Sequence, residues 1–165
     1  MSTAKRYDAI IIGSGQAGTP LSTALAEAGW RTALIEGTHV GGTCINDGCT
    51  PTKTMIASGR VAYLARLAAD FGVHAGPIRV DLGKVRQRKR EIVNSFRNAS
   101  QAKIEKTANL DLIFGEARFT GSRMVEVRAP DGTRHLLTSK YIFINAGTRA
   151  SRPGLKGIAD VPTLD

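Results

Sequence analysis

Short apolar runs that enter glycine clusters alternate along this chain with longer stretches in which apolar residues recur every three or four positions. Asp8-Ala9-Ile10-Ile11-Ile12 is almost wholly apolar and runs into Gly13, as a strand buried on both faces does. Leu21, Ala24, Leu25 and Ala28 then keep helical spacing up to Gly29, a natural helix C-terminus, and Pro20 falls in the first turn, where N–H groups lack partners anyway. Trp30 is expected to pack over the end of this helix. Thr32 to Glu36 is a second strand that finishes in an acid. Met55, Val61, Leu64, Ala65 and Ala68 carry a helix to about Asp70, and Phe71-Gly72-Val73 breaks it. A long helix from about Asp81 to Thr107 interleaves Leu82, Val85, Ile92, Phe96 and Ala99 with basic residues. Asp111 to Phe114 reads as a strand leading into Gly115-Glu116-Ala117. Arg118–Phe119, Met124–Arg128 and Arg134–Leu137, divided by Thr120-Gly121-Ser122 and Pro130-Asp131-Gly132, alternate as a small antiparallel meander. Tyr141 to Ile144 is a last apolar strand, with Tyr141 read as core, and it ends at Asn145-Ala146-Gly147-Thr148. The order predicts an α/β fold, a Rossmann-like doubly wound nucleotide-binding half with a β-meander insertion.

Composition changes this picture little. A chain of 165 residues favours one domain over two. No apolar run approaches the roughly 20 residues of a membrane span, and Met1 to Tyr7 is polar with no signal-peptide core behind it. The expected compartment is the cytoplasm, without membrane attachment. A net charge of +9 raises nucleic acid as a partner. Much of that charge, however, is Lys84, Arg86, Arg88, Lys89, Arg90, Arg97, Lys103 and Lys106, which form the solvated side of the long helix. With no aromatic stacking platform and no reading motif, no specific nucleic-acid partner is expected. His74 and His135 read as surface histidines.

The first glycine cluster is Gly13-Ser14-Gly15-Gln16-Ala17-Gly18. It leaves a strand, opens a helix, and is followed about 20 residues on by Glu36 at a strand end, which is the context that the dinucleotide fingerprint requires. Gly13 allows the tight turn, Gly15 lets a pyrophosphate approach the backbone, and Gly18 lets helix and strand pack closely. The helix N-terminus supplies donors and a positive field for phosphates. Glu36 can accept both hydroxyls of an adenosine ribose.

The only two cysteines, Cys44 and Cys49, sit in Gly41-Gly42-Thr43-Cys44-Ile45-Asn46-Asp47-Gly48-Cys49-Thr50-Pro51-Thr52-Lys53. The glycines allow the backbone to bend so that the two thiols can meet. Thr50-Pro51 reads as a helix cap and first-turn proline, which places Cys49 beside a helix N-terminus. The partial positive charge there, with Lys53 nearby, favours its thiolate. Redox chemistry is the reading favoured here. A structural disulfide, a zinc site built on His39, Cys44 and Cys49, and two unrelated buried thiols are the alternatives.

These residues together resemble the N-terminal part of the FAD-dependent pyridine nucleotide-disulfide oxidoreductases, the family of dihydrolipoamide dehydrogenase, glutathione reductase and mercuric reductase. The resemblance covers nearly the whole chain, and Gly41-Gly42-Thr43-Cys44 with Gly48-Cys49, Pro51 and Lys53 is its most specific part. It implies that the nucleotide is FAD, bound by Gly13, Gly15, Gly18, Glu36, Gly42, Thr43, Lys53, Gly115, Ala117, Ala146 and Gly147. It also implies a Cys44–Cys49 redox disulfide, with Cys49 the flavin-side thiol, Cys44 the interchange thiol, and Lys53 near the flavin. Gly115 and Ala117 would lie by the adenine. Ala146-Gly147-Thr148 resembles the later glycine turn over the FAD, where the usual order is Ala-Thr-Gly. Electrons would pass from NAD(P)H through FAD to this disulfide, and on to a small-molecule, disulfide or metal-ion acceptor. No resident metal is implied. Family members also carry an NAD(P)H domain, a second FAD segment and a dimerisation domain, and the complete enzymes are homodimers. Residues 1–165 therefore read as the FAD-binding domain alone, in a fragment or a truncated product. The competing expectation is an FAD-binding or dithiol-sensing module with no turnover of its own.

Overall fold

The computed structural model describes residues 4–163. Its centre is a parallel sheet in the order β4-β3-β2-β8, formed by Leu110–Phe114 (β4), Thr32–Glu36 (β3), Ala9–Ile12 (β2) and Tyr141–Ile144 (β8). β2 is the middle of the register, with Ile12 opposite Ile35 on one side and Ile144 on the other. The alternation of side chains along these strands divides the core in two. Ile10, Ala33 and Ile35 face one way with Tyr7, Val125, Val127 and Leu137, while Ala9, Ile11 and Leu34 face the other with Ala26, Val40, Ile104 and Leu110. Ile10, Ile11, Leu34 and Ile35 are essentially fully buried, which stabilises the fold by about 1.5–3 kcal/mol for each side chain.

The second face of the core is supplied by helices α1 (Gly18–Glu27) and α4 (Leu82–Lys106). The first is supplied by the meander, β5 (Glu116–Gly121), β6 (Met124–Arg128) and β7 (Arg134–Thr138). Thus the meander is the layer that closes the sheet's other side, which gives its inward positions Val125, Val127 and Leu137 a core to enter. A two-residue strand that the sequence pattern does not announce, β1 (Lys5–Arg6), adds to this second sheet in parallel with β7.

Between β3 and β4 lie α2 (Gly42–Asn46), α3 (Cys49–Leu67) and a 3-10 turn over Ala68–Phe71 that ends at Gly72 with φ of 75°. The long basic helix is capped at Asp81, whose side chain accepts from Lys84 N at 3.0 Å.

Three expectations need correction. The segment between the cysteines bends at Asp47–Gly48 as expected, after a short helix, α2, that carries Cys44. The following helix starts at Cys49 with Gly48 as its cap, so Thr50 is not the cap, while Pro51 stays in the first turn and Cys49 stands at the helix N-terminus as expected. The cause is the tight junction: Gly48 N donates to Thr43 O at 2.6 Å, which fixes the chain direction before Thr50 is reached. On α4 the buried apolar residues are Val93 and Ile104, whereas Leu82 and Phe96, expected on the covered side, are more than half exposed. Tyr141 is 43% exposed because β8 is a sheet edge, and its ring instead packs on Trp30 with centroids 5.6 Å apart. His74 and His135 are exposed, as expected.

Candidate functional site

All four parallel strands point their C-terminal ends at one place, and the residues that follow them line a single cleft of about 1,070 Å³. In a sheet whose chain leaves β2 in one direction and returns as β8 on its other side, this is where a ligand crevice opens. Gly13, Gly15, Glu36, Gly42, Thr43, Cys44, Gly115, Ala117, Ala146 and Gly147 all line it. Of the predicted residues, Gly18, Cys49 and Lys53 do not.

The glycines do separate work. Gly13 has φ of 101°, and a Cβ there would strike the Asn145 carbonyl. Gly18 is buried, and a Cβ on it would strike the Gly13 carbonyl, so it serves the packing of α1 on β2. Gly42 has φ of 59°, and its Cβ would lie 2.7 Å from Gly15 Cα. The loop that carries the cysteines is therefore pressed against the glycine turn. At Gly15 a Cβ would meet only Asn145 Nδ2, at 3.4 Å, which leaves the space over this backbone open toward the cleft.

Glu36 is held by its surroundings. Its Oε2 accepts from Ser14 N at 3.0 Å and Ser14 Oγ at 2.5 Å, and its Oε1 accepts from Thr38 N at 3.0 Å. Ser14, fully buried, also accepts from Gly41 N at 3.2 Å and takes the Thr19 hydroxyl on its carbonyl at 2.7 Å. It is the hub of the site, and the glycine pattern alone gives it no role. Asn46 is a second omission. Its Nδ2 donates to the carbonyls of Gly42, Val40 and His39 at 2.9, 3.1 and 3.4 Å, and its Oδ1 accepts from Arg97 Nε at 2.8 Å. A carboxamide two residues after Cys44, between glycines, was the available signal for the loop staple. Asn145 donates from Nδ2 to Gly13 O at 3.3 Å and closes the turn from the β8 side.

Both cysteines are thiols. Cys44 lies in the cleft wall at the middle of α2, and Cys49 is exposed at the first residue of α3. The neighbouring Cys49 thiol is the chief cause of a Cys44 pKa above the ordinary thiol value; desolvation adds to it, and the Lys53 charge opposes it weakly. Lys53 stands one turn beyond Cys49 on the same side of α3. No group of three or more His, Cys, Asp and Glu among the described residues is arranged to hold a metal ion, so His39, Cys44 and Cys49 do not form a ligand set. Among the described residues no helix is long and apolar enough to cross a membrane.

The residues fit a dinucleotide carrying an adenosine and a diphosphate. Open backbone at Gly15 faces a helix N-terminus, a carboxylate stands at the end of the second strand, and the cleft continues from Gly115 and Ala117 to the Cys44 wall.

Comparison with known proteins agrees with this geometry. RclA of Escherichia coli (strain K12) is 38% identical over 159 residues, 95% of this chain and 32% of its own length. The mercuric reductase of Bacillus cereus is 32% identical over 96% of this chain and 24% of its own, and the dihydrolipoyl dehydrogenase of Chlorobaculum tepidum 34% identical over 93% and 33%. Among solved structures, the Cu(II) complex of the HOCl-induced flavoprotein disulfide reductase RclA from Escherichia coli superposes with a TM-score of 0.76 at 36% identity, covering 96% of this chain and 32% of that one. The chain thus spans a third or less of the length of these relatives. Residues 7–164 match the family model described as pyridine nucleotide-disulphide oxidoreductase, and this chain belongs to that family.

Proposed function

We propose that the chain is the FAD-binding and dithiol-bearing part of an oxidoreductase in which electrons pass from NAD(P)H through FAD to the Cys44–Cys49 pair and on to an acceptor. The observation that carries this reading is the convergence in one cleft wall of Gly13 and Gly15 of the fingerprint, Glu36 and Cys44. FAD, when bound, supplies two-electron exchange with a disulfide. The protein's own residues do the rest. The Gly13–Gly15 turn and the start of α1 receive the diphosphate, Glu36 orients the ribose, and Gly115 and Ala117 form the adenine end of the cleft. Gly42 and Thr43 hold the redox loop against the glycine turn, and Ala146 and Gly147 close the β8 side.

In the reduced pair, Cys44 is the interchange thiol. As a thiolate it attacks one sulfur of an acceptor disulfide, the second acceptor sulfur leaves and takes up a proton, and Cys49 then displaces the acceptor from Cys44 to restore the internal disulfide. By resemblance to the family Cys49 is the thiol on the FAD side, although Cys44 is the one that lines the cleft of this chain, and the Lys53 ammonium stands one turn away to support the Cys49 anion. The relatives' names span disulfide and mercuric substrates, so the acceptor class is a small disulfide or a metal ion. With relatives about three times its length, the chain alone is read as a half-site, and the complete enzyme as a cytoplasmic homodimer that makes no specific contact with nucleic acid.

The test is spectroscopic. In FAD-loaded protein, Cys44→Ser leaves Cys49 as a thiolate beside oxidised flavin, and a long-wavelength charge-transfer band is expected that fades on acidification. Cys49→Ser lacks the band. A band in Cys49→Ser alone would exchange the two roles, and a band in neither would detach the cysteines from the flavin. Gly15→Val is expected to fold, because the protein leaves room there, and to lose FAD; full retention of bound FAD would refute the diphosphate assignment.

A further inference from the structure

Most basic residues of α4 are exposed, as a solvated face requires, but Arg97 is half-buried. It crosses to the redox loop, where its Nε donates to Asn46 Oδ1, and it lines the cleft together with Gly15, Gly42 and Thr43. The ion pairs among the described residues are Lys5–Asp111 and Arg134–Glu126, so the Arg97 guanidinium has no carboxylate partner. Nor does it donate any hydrogen bond besides the one to Asn46 among these residues. A guanidinium has five donors, and a partly desolvated cation is costly to hold without a counter-charge.

We propose that Arg97 is a binding residue for the dinucleotide diphosphate: its Nε–H holds the Asn46 staple, and its two terminal nitrogens supply the counter-charge to the phosphate oxygens. The proposal rests on the FAD reading above and adds to it a residue that lies outside the glycine fingerprint and comes from a different helix. The glycine turn and the α1 N-terminus offer N–H donors carrying only partial charge, so a diphosphate with two formal charges is left in need of a full cation. A planar guanidinium already fixed at Nε presents its remaining donors as a fork, the geometry that a phosphate accepts in pairs. Arg149 also lines the cleft, but it is exposed in the segment after β8 and carries no such anchor.

The test titrates adenosine, ADP and FAD into the wild-type chain, Arg97→Gln and Arg97→Lys, at low and at physiological salt. Arg97→Gln is expected to weaken ADP and FAD by about tenfold or more, to leave adenosine within about twofold, and to reduce the salt sensitivity of ADP binding. Arg97→Lys should recover part of the ADP affinity, because it restores charge without the fork. Adenosine binding by Arg97→Gln shows that the variant is folded. Equal weakening of adenosine and ADP would make Arg97 a positioning residue acting through Asn46 alone, and unchanged ADP affinity would remove it from the site; either overturns the proposal. Failure of the wild-type chain to bind FAD or ADP would instead overturn the FAD reading, and the proposal with it.

Discussion

A carboxylate oxygen offers about two acceptor positions, and at Glu36 the protein itself fills those of Oε2 with Ser14. The side chain is therefore aimed before any ribose arrives, and Oε1, bonded once by Thr38, keeps a free position. Glu36→Ala is expected to weaken FAD binding by about 1.5–3 kcal/mol, and Ser14→Ala, which keeps the carboxylate but loosens it, by about 1 kcal/mol. Fluorescence titration with FAD checks both, and equal losses would mean that Ser14 touches the ligand itself. At the thiols, the raised pKa of Cys44 has a direct sign: at a given pH less of it is thiolate, so its alkylation should rise with pH later than that of an ordinary thiol. Cys49→Ala removes the main cause and should move that midpoint down. Mass-resolved iodoacetamide labelling across pH 7 to 10 reads the shift directly.

At the scale of the element, α4 shows how far periodicity carries. Its length and start were legible because a single acid, Asp81, stands before the apolar-periodic stretch and caps Lys84 N. Asp81→Ala should lower stability by about 1 kcal/mol in urea unfolding, with little change in the slope against denaturant. Which side of the helix is covered was not legible. Leu82, Phe96 and Val93 all fit a helical repeat, and only the packing of α4 on α3 and β4 selects Val93 and Ile104. The same ambiguity hid Arg97, which looked like one more cation on a solvated face, while its partner Asn46 lies 51 residues away. The glycine turn and the cysteine loop were readable because each role there follows from neighbours within a few residues, and Glu36 because it ends a strand at a fixed distance, about 20 residues, after the glycine turn. β1 was not, since two polar residues carry no strand pattern, and the strand exists only because β7 offers an edge.

Across the whole molecule, the two sheets are joined at their margin by Asp111, which accepts from Tyr7 Oη at 2.6 Å and from Lys5 Nζ at 2.8 Å. Burial alone would raise the Asp111 pKa, but the Lys5 and Tyr7 hydrogen bonds, with the Lys5 and Arg31 charges, outweigh it and hold the pKa below the usual aspartate value. A carboxylate depressed in the folded state contributes stability that is complete above its unfolded pKa and disappears as pH falls through the folded one. Asp111→Asn should therefore be less stable than wild type at pH 7, by no more than about 1 kcal/mol for so exposed a pair, and the difference should close in acid, once the pH has fallen below the folded-state pKa of the carboxylate. Thermal melts at the two pH values decide it, and a gap that persists in acid would locate the loss in packing instead of charge.

The pairing of the first strands with the last has a consequence in time. Lys5 finds its place against Leu137, and Ala9 finds its place against Tyr141, each 132 residues further on. A ribosome adding about 5–20 residues per second needs roughly 7 to 26 s to deliver those partners. Through that interval β2, the most apolar strand of the sheet, has one open edge, and β1 has no strand to join. Nascent chains halted before Arg134 are thus the form that a chaperone of exposed apolar strands should retain, and the emergence of β7 and β8 should release them together.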